Sequence, residues 1–178
     1  MIIRDENQAD LDAIHKLVAA AFQRPDEAVL IDRLRSDGGC IISLVAVEGN
    51  ETVGHVLFSK ITAPFRALGL GPVSVHPTRQ CAGIGSLLIR TGLDQARGAG
   101  WQGVFVLGDP KFYSRFGFDP DLAGGFMCRY SGPHLMALAL GRELPATEGV
   151  IEYAPAFDSL ELGDVGRIAG NRKSRDRA

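Results

Sequence analysis

Cysteine is scarce. The three present, Cys40, Cys81 and Cys128, are odd in number and lack metal-ligand spacing. That argues against a disulfide framework and against a zinc site, and no metal is expected. Long apolar runs are missing as well. No segment approaches the roughly 18 residues of a membrane span, so no membrane partner is expected. Nor is there a surplus of one charge: 19 Lys and Arg against 21 Asp and Glu leave a net charge of −2 and a pI near 6.1. The basic residues are scattered, which speaks against a nucleic-acid partner. The opening residues, Met-Ile-Ile-Arg-Asp-Glu-Asn, lack the charged-then-apolar layout of a secretion signal. A reducing, cytoplasmic setting is the expectation that follows. What remains, 178 residues with 46% hydrophobic and 22% charged content, suits one globular domain with a single core.

The periodicities divide the chain into short elements. Met1 to Arg4 reads as a strand, and Asp5 or Asn7 can cap the helix that follows. In that helix Leu11, Ile14, Leu17, Val18, Ala21 and Phe22 share a face. Pro25 fits the first position of a second helix, with Asp26 and Glu27 in its first turn and Leu30, Ile31 and Leu34 as its apolar stripe. Ile41–Glu48, the Gly49-Asn50 turn and Thr52–Ile61 form a β-hairpin, in which Gly54 could mark a bulge. Pro64 to Gly69 reads as a loop and Leu70 to His76 as the next strand. Gln102–Leu107, Phe126–Tyr130, Leu135–Leu140 and Val150–Tyr153 read as later strands. Asp109 and Pro110 start a short helix that Gly117 stops. A domain over residues 1–160 with a polar tail over 161–178 is the expected division, with a loose end from Asn171.

The organising stretch runs from Pro72 to Arg97. Val73 to Val75 is β-prone, and Pro77 ends the strand because proline cannot donate to a ladder. Gly83 and Gly85 flank Ile84, after which Leu87, Leu88 and Thr91 continue at helical spacing. Strand, glycine-bearing turn, then helix: that order aims unpaired backbone N–H groups and the positive end of a helix dipole at one place, which suits a phosphate. A Walker loop would need Lys and then Ser or Thr where Ser86 and Leu87 stand, and a dinucleotide fingerprint would need a small residue at Leu88.

Two motifs together carry a resemblance. Gln80-x-x-Gly83-x-Gly85 resembles the acyl-CoA pyrophosphate loop of the GNAT superfamily of N-acyltransferases. Asp109-Pro-Lys-Phe-Tyr-Ser-Arg-Phe-Gly-Phe118 resembles that superfamily's later helix with its Phe-Tyr and Gly-Phe signature, and is most similar to the bacterial YhbS-like branch. The resemblance covers roughly residues 1–155. It implies an α/β (α+β) fold with a mixed, mostly antiparallel central sheet flanked by helices. Two middle strands, here residues 70–76 and 102–108, would splay apart to admit the coenzyme arm.

The activity so implied is transfer of an acetyl group from acetyl-CoA to a primary amine, by direct attack in a ternary complex. The acceptor could be a small metabolite, a peptide N-terminus or a lysine, and a homodimer is allowed for. The backbone of Val73, Ser74 and Val75 would pair with the pantetheine amides and supply an oxyanion donor. Cys81, Ala82, Gly83, Ile84, Gly85 and Ser86 would offer N–H groups to the diphosphate, with Gln80 in reach of a phosphate and Arg79 beside it. Cys81 is assigned a backbone contact and no nucleophilic role. Tyr113, after Phe112 on the coenzyme, would protonate the departing thiolate. Its alternative is a packing role. The base is not singled out. Glu27 could serve directly or through water, or be only a helix-dipole partner; Glu48, His55 and His76 are conceivable. A different class of reading, a catalytically silent acyl-CoA sensor, keeps the cradle without turnover.

Overall fold

The structure is a computed structural model, and it describes residues 1–159; the expected tail over 161–178 lies outside the described residues. Among them the order is β1 (Ile2–Asp5), α1 (Leu11–Phe22), α2 (Asp26–Ser36), β2 (Cys40–Glu48), β3 (Glu51–Ile61), β4 (Ala67–Val75), α3 (Ile84–Gly98), β5 (Gly103–Leu107), α4 (Pro110–Tyr113), α5 (Pro120–Ala123), β6 (Phe126–Met127), β7 (Leu135–Ala139) and β8 (Gly149–Val150). Six strands form one sheet in the order β1-β2-β3-β4-β5-β7, and β6 and β8 pair separately. Within the main sheet only β4 and β5 run parallel; the other neighbours are antiparallel. This is the mixed, mostly antiparallel sheet that the sequence led us to expect.

Alternation along the strands sends side chains to two faces. On one face Leu44, Ala46, Val56 and Phe58 pack under α3 with Ile84, Leu88 and Leu93. On the other, Val45 and Leu57 pack under α1 and α2 with Ile14, Val18, Leu30, Ile31 and Leu34. Asn7 starts the first helical segment with a reciprocal cap: its Oδ1 accepts from Ala9 N at 2.9 Å, and the Asp10 carboxylate accepts from Asn7 N at 2.8 Å.

The bulge at Gly54 is present. Ala46 pairs with Gly54 and Val47 with Thr52, which leaves Val53 extra. The glycine has a second use. A Cβ at Gly54 would lie 2.8 Å from Ile84 Cγ2, and one at Gly92 would lie 2.2 Å from Phe58 Cε2. Helix α3 therefore rests on β3 through two positions without side chains. Gly92→Ala is expected to lower unfolding free energy by about 1–3 kcal/mol, since Phe58 must leave its rotamer. Urea unfolding checks this, and an unchanged midpoint would refute it.

Several boundaries differ from the expectation. Pro25 is the N-cap of α2, not its first residue. β4 begins at Ala67 and takes in the end of the expected loop, because Ala67, Leu68 and Gly69 pair on both sides, with β3 and with β5. Glycine and alanine depress strand propensity there, and two-sided pairing overrides it. The expected strand Phe126–Tyr130 shrinks to two residues as Ser131 Oγ accepts from Cys128 N and turns the chain. The expected strand Val150–Tyr153 is the two-residue β8 followed by a single bridge from Glu152 to Thr62. α5, capped by Asp119 with Pro120 at its first position, was not foreseen.

The separation of β4 from β5 has a local cause. Their parallel pairing runs from Ala67↔Gly103 to Leu70↔Val106 and stops. Between Val56↔Val73 and Phe58↔Leu70, β4 has two residues, Gly71 and Pro72, against the single Leu57 of β3. That bulge bends β4, and Pro72 has no N–H to offer β5. The half-strand Val73–Val75 thus keeps β3 on one side and leaves its other edge open.

Candidate active site

A cleft of about 280 Å³ lies where β4 leaves β5, with Val73 and Val75 in one wall and Ala21 and Phe22 of α1 in another. The start of α3 forms its head. Gly83 is the N-cap at φ 81°, and no side chain caps the helix. The first N–H groups of an α-helix have no intrahelical acceptor, and the first bond here is Leu87 N to Gly83 O at 3.0 Å. Cys81, Gly83, Ile84, Gly85 and Ser86 all border the cleft. A Cβ at Gly83 would meet nothing within 4 Å, so its φ is what requires glycine. Cys81 itself sits at φ 66°, a conformation that costs a side-chain-bearing residue about 1–2 kcal/mol. Consecutive backbone N–H groups in such a turn can form an anion-binding concavity.

The far end is aromatic. Asp109 caps α4 through its Oδ1, 2.9 Å from Lys111 N. The next turn brings Phe112 and Tyr113 to the cleft, with ring centroids 4.9 Å apart, edge to face. Tyr113 is fully buried and its hydroxyl has no partner among the described residues. Burial raises its pKa well above the ordinary phenol value, so the phenol keeps its proton at neutral pH.

The sequence candidates separate in space. Val73, Val75, Gln80, Phe112 and Tyr113 border the cleft with the α3 turn. Gln80 spends its amide on the strand, donating from Nε2 to Val75 O at 3.3 Å. Ser74 points to the opposite face from its neighbours, and neither it nor Ala82 borders the cleft. Glu27 is fully buried outside the cleft lining, and Arg24 grips it through Nε at 3.0 and 3.1 Å and through Nη2. In this placement it serves an ion pair at the α1–α2 junction. Glu48 pairs with Arg79 at 2.7 Å, and His76 accepts from Thr78 N. Sequence reasoning missed Phe22 and Arg115, both of which border the cleft. The signal for Arg115 was its position two residues beyond Tyr113 in the same motif; its guanidinium stacks 4.8 Å from the Phe112 ring.

A polar cluster behind β4 was not foreseen as a unit. Ser43 Oγ donates to Glu6 and lies 2.8 Å from His55 Nε2, while Arg35 donates to both Glu6 oxygens at 2.9 and 2.6 Å. Burial opposes charge on Glu6, but hydrogen bonds involving His55, Arg35 and Ser43 outweigh it and hold the carboxyl well below the usual range. For His55, burial wins over the pull of Glu6 and lowers its pKa. Both shifts have the same consequence. Below a free histidine's pKa of about 6.5 the unfolded chain takes up a proton that native His55 resists. Below about 4.5 it takes up another that native Glu6 resists. Stability is therefore full above about pH 6.5 and falls on acidification, by up to about 1.4 kcal/mol per pH unit for each group. Urea titrations at neutral pH, pH 5.5 and pH 4 check this, and a flat profile would refute it.

The sequence pattern that defines the acetyltransferase (GNAT) family matches residues 7–118. The chain belongs to the GNAT family. Among GNAT relatives, the N-acetyltransferase YhbS of Escherichia coli K12 is 32% identical over 166 residues, spanning 89% of this chain and 99% of that protein. YjhQ of the same strain is 36% identical over 122 residues, 64% of this chain and 67% of that one. The crystal structure of E. coli YhbS in complex with CoA superposes with a TM-score of 0.85 at 30% identity, covering 90% of this chain and 93% of that chain. A GNAT acetyltransferase from Brucella melitensis in complex with acetyl-CoA gives 0.76 at 38% identity, covering 88% and 97%. The GNAT fold accounts for the splayed strands, with β4 and β5 as the separating pair.

Proposed function

We propose that this protein is an acetyl-CoA-dependent N-acetyltransferase, moving an acetyl group from the thioester to a primary amine by direct attack within a ternary complex. One observation carries the reading: the uncapped α3 N-terminus and Tyr113, whose buried hydroxyl has no partner among the described residues, border the same cleft, along a strand edge that β5 has left. An anionic head, an amide-bearing arm and a leaving thiolate call for these three kinds of partner. The CoA and acetyl-CoA complexes of the two relatives support the choice of donor.

Each part of the chain then has a task. N–H groups from Cys81 to Ser86 bind the diphosphate, aided by the helix dipole and by Arg79 at the rim. The free edge of Val73–Val75 pairs with amides as an added strand would, and an N–H there stabilises charge on the thioester oxygen. Phe112 packs on the coenzyme arm. Tyr113, protonated because it is buried, donates to the departing sulfur. The amine enters beside Ala21 and Phe22.

Thiol release from acetyl-CoA with a panel of amines tests the proposal. Release that depends on an amine is the expected result. Tight acetyl-CoA binding with no release across a broad panel would overturn it in favour of a sensor.

A further inference from the structure

Arg4, Arg24, Arg35, Arg79, Arg97 and Arg129 each pair with a carboxylate. Arg90 of α3 and Arg115, just after α4, are exposed and pair with none among the described residues. Each lies over an aromatic ring instead. The Arg90 guanidinium is 5.2 Å from the centre of the Phe116 ring, and that of Arg115 is 4.8 Å from the centre of Phe112. The two rings are themselves neighbours, with centroids 5.5 Å apart. A ring face orients a guanidinium for about 0.5–1 kcal/mol at an exposed site, but it does not cancel the charge. Two uncompensated cations on adjoining rings call for an anion.

Their place is fixed by the two elements that meet at the α3 turn. Ser86 borders the cleft. Arg90 is four residues further along the same face of α3, about 5–6 Å away between Cβ atoms. Arg115 borders the cleft itself. The pair therefore stands beside the diphosphate turn, on its α4 side. That turn works mainly through backbone N–H groups, since Arg79 at its rim is held by Glu48 at 2.7 Å. CoA carries one more phosphate, on the 3′ oxygen of its ribose, a sugar's length beyond the diphosphate. A phosphate monoester is close to a dianion at neutral pH. The planar fork of a guanidinium matches it with paired N–H donors.

We infer that Arg90 and Arg115 form a second phosphate site beside the α3 turn, and that this site takes the 3′-phosphate of the coenzyme's ribose. The inference rests on the choice of donor made above. The site selects the carrier rather than the acyl group: it favours CoA over the same molecule without its 3′-phosphate. Phe112 and Phe116 hold the two guanidiniums in place before the coenzyme arrives, so less side-chain freedom is lost on binding.

Calorimetric titration of the full chain with CoA and with 3′-dephospho-CoA tests this, for wild type, Arg90→Gln, Arg115→Gln and the double variant. Wild type should bind CoA about 10²-fold more tightly than 3′-dephospho-CoA, about tenfold for each charge-assisted contact. Each single variant should lose that tenfold toward CoA and little toward 3′-dephospho-CoA, and the double variant should bind both alike. Equal affinities in wild type would overturn the inference. So would losses of one size toward both ligands, which would assign the arginines to the diphosphate. If wild type bound neither ligand, the choice of donor would fall and this site with it. Selective CoA binding without amine-dependent thiol release would overturn the transferase reading and leave the site standing. Both side chains are exposed, so the fold should survive; if Arg115→Gln fails to fold, Arg90→Gln decides.

Discussion

Tyr113→Phe is expected to lower kcat by about 10²–10⁴-fold, the usual contribution of a positioned acid, while acetyl-CoA affinity changes little. The same substitution should leave the protein as stable as wild type or more so. The phenol is fully buried and its hydroxyl has no hydrogen-bond partner. An unsatisfied buried hydroxyl costs about 1–3 kcal/mol, and phenylalanine keeps the ring contacts with Phe112, Phe116 and Phe118. A slower enzyme with a raised Tm is therefore the signature of a group retained for chemistry. Single-turnover thiol release and thermal melts check the two halves. Full turnover across the pH range would reduce Tyr113 to a packing residue.

Gly83→Asp should weaken CoA binding by about 10²–10³-fold. A carboxylate ~4 Å from a diphosphate charge is repelled by about 4 kcal/mol at an effective dielectric near 20. The fold should survive, because a Cβ at Gly83 meets nothing within 4 Å and Asp tolerates the left-handed region better than most residues. Gly83→Asn separates the causes: it has the same shape and no charge, and should lose far less. Calorimetric titration reads both, and an unaltered Kd for Gly83→Asp would remove this turn from the site.

The two stretches that border the cleft were legible in the sequence because each is continuous. Gln80 to Ser86 and Asp109 to Phe118 carry their own punctuation: a strand end, glycines, an Asp cap followed by Pro. The polar cluster was not legible. Glu6, Arg35, Ser43 and His55 come from the residue after β1, from α2, from β2 and from β3, and only the pairings of β1, β2 and β3 under α2 bring them together. Glu27 shows what a single stretch leaves out. Its place in a first turn is visible in the sequence, but Arg24 three residues earlier is a partner that only the left-handed Gln23 turn brings around. The bulge at Gly71-Pro72 escaped notice for a similar reason: a two-against-one mismatch exists only relative to a neighbouring strand.

The two bare contacts beneath α3 extend beyond packing. With Phe58 seated against Gly92 and Ile84 against Gly54, the helix has little freedom to roll about its long axis or slip along it. Its leading amides then keep one heading at the groove. Core changes beneath that helix, remote from any bound molecule, should consequently register as losses of coenzyme affinity before they register as unfolding.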